Sequence, residues 1–293
     1  MKSRKRILLV DDDTMIHQLL RVVLEPQGHE IDSAYDGIDG WRRVETTPYD
    51  LVVTDVRMPG LDGLELLRRI RQGHPEVKVM VMTGDSTPGR VLTAIQEQAY
   101  TYFSKPFAPT AVADVIAEAL RAPSWQDDIK VISARADWIT LLVRCKVEVA
   151  ERLLQFLREL KMDVVEEQRE NIATAFHELL LNAIEHGGRS DPQQQVRVSY
   201  LRTSRAILYH IQDPGEGFSI EQLPHAALSN ASGDPLQHLA RREEAGQRPG
   251  GFGILLARQL VDELIYNEKG NEVLLIKYLD PPTAGDEKGG AKT

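Results

Sequence analysis

At 293 residues the chain is long enough for two domains of ordinary size, each with its own core. Hydrophobic residues at 42%, charged residues at 27% and a net charge of −9 describe a soluble globular protein and argue against non-specific binding to nucleic acid or anionic membrane. The one cysteine, Cys145, excludes an intrachain disulfide, fits a reducing cytoplasm, and reads as a small buried hydrophobe among Leu142, Val143 and Val147. No apolar run approaches about 18 residues, and the run at 7–10 behind the basic start is too short for a signal peptide, so the expected location is cytoplasmic.

From residue 6 to about 121, short apolar runs at 7–10, 30–34, 51–54, 77–82 and 100–103 alternate with helical patterns at 14–25, 37–46, 63–72, 88–98 and 109–121. Five such βα units predict an α/β domain with a doubly wound parallel sheet, whose site lies beyond the carboxyl ends of the strands. The polar residues there form a set: Asp11, Asp12 and Asp13 after the first strand, Asp55 after the third, Thr83 after the fourth, Lys105-Pro106 after the fifth. Crowded carboxylates repel unless a cation joins them, which predicts Mg²⁺. A carboxylate held there can attack a phosphoryl group and become an aspartyl phosphate, with Lys105 offsetting charge and the Thr83 hydroxyl bonding the arriving group. Each residue also has a plainer role, as helix cap, turn or solvated loop.

The motifs Ile7-Leu8-Leu9-Val10-Asp11-Asp12-Asp13, Val53-Thr54-Asp55-Val56-Arg57-Met58-Pro59-Gly60, Met82-Thr83-Gly84 and Ser104-Lys105-Pro106-Phe107 resemble the receiver domain of bacterial response regulators, a flavodoxin-like fold. The resemblance implies Asp55 as phosphoacceptor from a histidine kinase, Asp11 and Asp12 as the acidic Mg²⁺ pair, and the Arg57 carbonyl as a further ligand. It also implies Thr83 and Lys105 as phosphoryl contacts and Tyr102 as a switch aromatic. Asp13 reads as an extra acidic residue that starts the helix.

A Pro-containing polar stretch at 122–128 marks the linker. Trp125 there fits either a packed interface or a partly exposed aromatic. The second domain, at 129–280, opens with two strands at 129–133 and 138–144 and a helix at 147–160. A long helix at 166–186 follows, with Ala173, Phe176, Leu180, Ala183 and Ile184 facing a core. On another face Glu178 and Asn182 lie one turn apart, able to supply a general base and an amide oxygen for Mg²⁺ beside phosphates, or simply a wet helix surface. Strands at 195–201 and 206–212 lead into Asp213-Pro214-Gly215-Glu216-Gly217. There an acceptor-only carboxylate could take the amino hydrogens of adenine, and the glycines allow close backbone approach, unless the segment is an ordinary turn.

Residues 219–248 are polar and poor in large apolar side chains, with a helix candidate at 235–244, and read as a lid. Gly250-Gly251-Phe252-Gly253 then opens a helix at 254–264, as a phosphate cradle, a lid hinge, or both. Strands at 265–267 and 272–279 close the sheet, and 281–293 reads as a disordered tail.

Glu178-Leu179-x-x-Asn182-Ala183-x-x-His186, Asp213-x-Gly215-x-Gly217 and Gly251-x-Gly253, in this order, resemble the Bergerat-fold ATP-binding domain of gyrase-type ATPases and histidine kinases, an α/β two-layer domain with a mixed or antiparallel sheet. The form of the first box and the Val261-Asp262-Glu263-Leu264 ending resemble the anti-sigma-factor serine kinases. This implies Mg²⁺ and ATP as cofactors. It further implies Asn182 on Mg²⁺, Glu178 as general base, Asp213 on adenine, and His186, Gly215, Gly217, Gly251 and Gly253 near the nucleotide. The partners implied are a histidine kinase, an anti-sigma-factor antagonist and a sigma factor, with a homodimer left open. An ATP-binding module without kinase activity and a simple ATPase are the alternative functions. His177, beside Glu178, lacks the context of an autophosphorylated histidine and reads as structural.

Overall fold

The computed structural model describes residues 4–84, 87–122, 125–135, 137–160, 164–217 and 253–279. The expected lid with its helix candidate, Gly251 and the tail lie outside these residues. The chain forms two units, Met1–Ile129 with Arg152–Lys161, and Lys130–Glu151 with Met162–Thr293.

In the first unit, β1 (Arg6–Val10), β2 (Glu30–Ala34), β3 (Leu51–Asp55), β4 (Lys78–Thr83) and β5 (Thr101–Ser104) form a parallel sheet in the order β2-β1-β3-β4-β5. β3 and β4 are buried along their whole length, as expected of inner parallel strands covered on both faces. The helices are α1 (Thr14–Leu24), α2 (Gly37–Thr46), α3 (Gly63–Gly73), α4 (Pro88–Gln96) and α5 (Pro109–Arg121). Their starts are set locally. Asp13 caps α1 by accepting from the Met15 N–H, Asp36 caps α2 through Asp39, and Asp62 caps α3 through Glu65. Pro opens α4 and α5, where no intrahelical N–H is needed. The strand order reverses between β1 and β3, and that crevice carries Asp11 and Asp55.

Trp125 is not an exposed aromatic: it belongs to this core, with its ring 5.9 Å from Tyr100 and the Arg71 guanidinium 4.5 Å above it. Around these rings sit two buried cations, Arg152 and Lys78, and the partly buried Arg71. Arg152, 7% exposed, pairs with Asp128 at 3.0 Å, donates to the Tyr100 carbonyl and lies 4.3 Å over the Tyr100 ring. Lys78 donates to the carbonyls of Ala119 and Ala122, where α5 ends. Burial, then the nearby Arg152 charge, lowers the Lys78 pKa to about 8, and burial lowers that of Arg71 to about 10. Gln155 donates to the Tyr102 carbonyl on edge strand β5.

In the second unit, β6 (Ile129–Arg135), which begins one residue earlier, joins β7 (Trp138–Arg144), β8 (Gln195–Arg202), β9 (Ala206–Gln212), β10 (Glu263–Tyr266) and β11 (Glu272–Tyr278) in the order β10-β11-β9-β8-β7-β6. The β7–β8, β8–β9, β9–β11 and β10–β11 pairs are antiparallel. α6 (Val147–Glu159) contributes its first turn here, and α7 (Glu166–Asn182) and α8 (Gly253–Leu260) complete the unit. α7 packs on α8, β9 and β11. It therefore buries Ala175, Leu179 and Leu181 as well as the expected stripe, with Phe176 4.8 Å from the Tyr209 ring.

Two boundaries differ from the sequence expectation by more than two residues. α7 gives way after Asn182 to a π-helical turn over Ala183–Gly187. α8 ends at Leu260, because the Asp262 N–H donates to the Ile276 carbonyl and its carboxylate takes the Tyr278 N–H and Lys277 Nζ. These bonds tie Asp262 to β11 and start a strand where the helical pattern would have run on. No described helix is long and apolar enough to cross a membrane.

Candidate functional site

In the first unit the carboxyl ends of the strands bring Asp11, Asp55 and Lys105 together. Lys105 Nζ lies 2.7 Å from Asp11 Oδ2 and 2.8 Å from Asp55 Oδ1. The other Asp55 oxygen accepts from the Arg57 N–H at 2.7 Å, and Asp11 Oδ1 accepts from the Asp13 N–H at 3.0 Å. Burial pushes the Asp11 carboxyl above its ordinary value, against the pull of Lys105. Burial also works against the Lys105 ammonium, but its bonds to Asp11 and Asp55 outweigh this and raise its pKa. Thr83 is fully buried at the end of β4, and its carbonyl accepts from the Lys105 N–H at 2.6 Å. Tyr102 is fully buried in β5.

Asp12 is exposed, and among the described residues no three His, Cys, Asp or Glu side chains are grouped closely enough to hold a metal ion. The smaller set suits a hard cation nonetheless. Two buried carboxylates already converge on one positive charge, and Mg²⁺ needs only one or two carboxylates beside water and phosphate oxygens. One missed participant is His17, 3% exposed, whose Nε2 bonds the Asp11 carbonyl at 2.8 Å. Its spacing from Asp11 carried no signal, since a buried His on a helix usually belongs to the core.

In the second unit, Glu178 and Asn182 stand on the α7 face left half-exposed. Gly253, at the start of α8, lies close to both. A Cβ there would fall 2.6 Å from Glu178 Oε2 and 3.5 Å from Asn182 Nδ2. The atom such a Cβ would meet is the flexible end of Glu178, so the close approach brings the start of α8 beside this carboxylate and amide without demanding glycine. The π-helical turn then carries the backbone to Gly187, where a Cβ would fall 2.2 Å from Asp213 Cγ. Gly187 was not foreseen, although the Gly187-Gly188 pair after the first box was a visible signal. His186 is exposed on the same turn.

Asp213 follows β9, with its Oδ1 accepting the Gly215 N–H at 2.8 Å. Burial raises its pKa, opposed by that bond and by the Lys269 charge. Two neighbours register Asp213. Burial, followed by its charge, raises the Tyr266 phenol, and burial, followed by the charges of Asp191 and Asp213, pushes the Cys145 thiol up to about 11. Cys145 is fully buried, as expected of a small hydrophobe. The backbone of Gly215 and Gly217 lies beside Asp213 and the β10–β11 turn. The arrangement offers a carboxylate acceptor at one end and, at the other, a carboxylate, an amide and helix-start N–H groups.

The response regulator receiver domain family matches residues 7–117, and the histidine kinase-like ATPase domain family matches residues 144–277. The chain is 39% identical over 108 residues to the transcriptional regulatory protein QseB of Haemophilus influenzae, covering 37% of this chain and 49% of that protein. It is 35% identical over 117 residues to the DNA-binding transcriptional regulator NtrC of Rhizobium meliloti, covering 40% of this chain and 24% of that one. Among solved structures, the signal receiver domain of an HD domain-containing protein from Pseudomonas fluorescens Pf-5 is similar, with 32% identity, a TM-score of 0.39, and coverage of 40% of this chain and 94% of that one. The chain thus spans about a quarter to a half of the length of these two curated relatives.

Proposed function

We propose that this fusion of a receiver domain to a histidine kinase-like ATPase domain is a phosphorylation-controlled, ATP-dependent protein serine/threonine kinase of the anti-sigma-factor type. A partner histidine kinase supplies the first phosphoryl group. An Asp55 carboxylate oxygen attacks the phosphorus, the phosphorus–nitrogen bond of the phosphohistidine breaks, and the imidazole leaves. Lys105, between Asp11 and Asp55, offsets charge on the transferring oxygens, and the Thr83 hydroxyl bonds the group on arrival. Asp11, Asp12, Asp55 and the Arg57 carbonyl are the donors for a Mg²⁺, which when bound adds Lewis-acid charge to the same transfer. The resulting aspartyl phosphate shifts the receiver between two states, Tyr102 being the switch aromatic, and so changes the output domain.

In that domain Asp213 accepts the amino hydrogens of adenine, and Asn182 offers its oxygen to the metal of Mg-ATP. Gly215, Gly217 and Gly253 would line the nucleotide, with His186 near the phosphates, and Gly251 belongs to the same motif by sequence. Glu178 takes the proton of a Ser or Thr hydroxyl on an anti-sigma antagonist. The freed oxygen attacks the γ-phosphorus, and the bond to the ADP oxygen breaks. The same domain alternately holds a sigma factor, choosing between partners by nucleotide and substrate state.

The convergence of Gly253 on Glu178 and Asn182 is the observation that supports this reading most. Glu178→Gln tests it. ATP binding should persist, while transfer of label from γ-labelled ATP to a candidate antagonist falls by roughly 10²–10⁴-fold. Unchanged transfer rejects Glu178 as the base, and phosphate release that needs no protein acceptor favours simple hydrolysis.

A further inference from the structure

We infer that Asn271 is a positioning residue of the nucleotide site, which with Asn267 and Lys269 in the β10–β11 turn holds Asp213 in the orientation an adenine amino group requires. The inference rests on the proposal that Asp213 takes adenine.

Asn271 is 9% exposed, so both ends of its amide need partners inside the protein. Its Nδ2 donates to the Asp213 carbonyl at 3.2 Å, and its Oδ1 accepts from Asn267 Nδ2 at 3.0 Å. Its own backbone carbonyl accepts the Asp213 N–H at 3.0 Å. Both peptide groups of Asp213 are therefore gripped by one residue. Asn267 fixes the gripping residue in turn, its Oδ1 accepting the N–H groups of Gly270, Asn271 and Glu272 at 2.8, 3.1 and 3.2 Å.

The rest of the Asp213–Gly217 loop lies on the same turn. Lys269 Nζ donates to the Gly215 carbonyl at 3.0 Å. Gly217 has φ +81°, and a Cβ there would fall 1.9 Å from the Lys269 carbonyl. The Gly215 N–H already bonds Asp213 Oδ1, so the second carboxylate oxygen offers the base the greater acceptor capacity. Its direction follows from the backbone that Asn271 holds. A tilt of that backbone would weaken a bond to an exocyclic amino group while leaving phosphate contacts on α7 and α8 in place. The selectivity for the base is thus the property this turn controls.

The test compares, in the full-length protein with Mg²⁺, the dissociation constants of ATP and of purine riboside triphosphate, which lacks the 6-amino group. A charge-assisted hydrogen bond predicts a preference for ATP of on the order of tenfold or more in the unmodified chain. Asp213→Ala should abolish that preference. Asn271→Asp keeps the shape but loses the amide donor, and should erase most of the preference while the analogue binds as before. Lys269→Met, a change at an exposed side chain, should reduce it about threefold without lowering the melting temperature. If Asp213→Ala removes the preference but Asn271→Asp and Lys269→Met both leave it intact, the positioning role is overturned and the adenine reading stands. If Asp213→Ala leaves the preference unchanged, the adenine reading fails, and the inference with it.

Discussion

Lys105 holds two carboxylates that water barely reaches, with Asp11 1% and Asp55 5% exposed. Removing the ammonium leaves their repulsion uncompensated and takes a positive charge from the place where phosphoryl oxygens gather. Lys105→Gln should therefore slow phosphorylation of Asp55 by a small-molecule donor such as acetyl phosphate on the order of 100-fold, followed by phosphate-affinity electrophoresis. Asp11, Asp55 and Lys105 were legible because each falls at the end of an apolar run, where a parallel sheet collects polar residues. Asn271 and Gly187 were not, since their meaning comes from hydrogen bonds and close approaches between distant segments. Arg152 was equally silent: beside Leu153 in a helical pattern, an Arg reads as part of a wet face, and only the placement of Asp128, Tyr100 and Trp125 makes it a buried cation.

Helices α2 and α5 begin and end where the sequence pattern put them, because Asp36 and Pro109 mark their starts. At the end of α8 a tertiary bond moved the boundary, where Asp262 is tied to β11. α5 also has an end that depends on proton charge. Lys78 caps its last carbonyls, and its pKa is lowered from 10.5 to about 8. Between these two values Lys78 binds more protons in the unfolded chain than in the folded one, so its contribution to stability rises with pH across that window. Urea unfolding of the first unit at stepped pH should show this rise, and Lys78→Met, which has no proton to lose, should flatten it. A stability that fell equally in both proteins from pH 8 to 10 would contradict the assignment.

The molecule as a whole joins a phosphoacceptor unit to a nucleotide-binding unit, and most of that plan was readable from the order of motifs. The path of the chain between them was less so. The stretch at 122–128, which composition marks as a linker, is engaged with the first unit: Ala122 by Lys78, Gln126 by the Pro75 carbonyl, Asp128 by Arg152. A fragment ending at Asp128 keeps every receiver motif but lacks the guanidinium that neutralises its last carboxylate. It should melt well below the same unit in the full chain, with the fluorescence of Trp41 and Trp125 as the readout. Equal midpoints would mean that Arg152 contributes little. Dissection by motif therefore parts Asp128 from the guanidinium that pairs with it, and a receiver prepared that way would look fragile for want of a short helical segment encoded beyond the first hairpin of its neighbour.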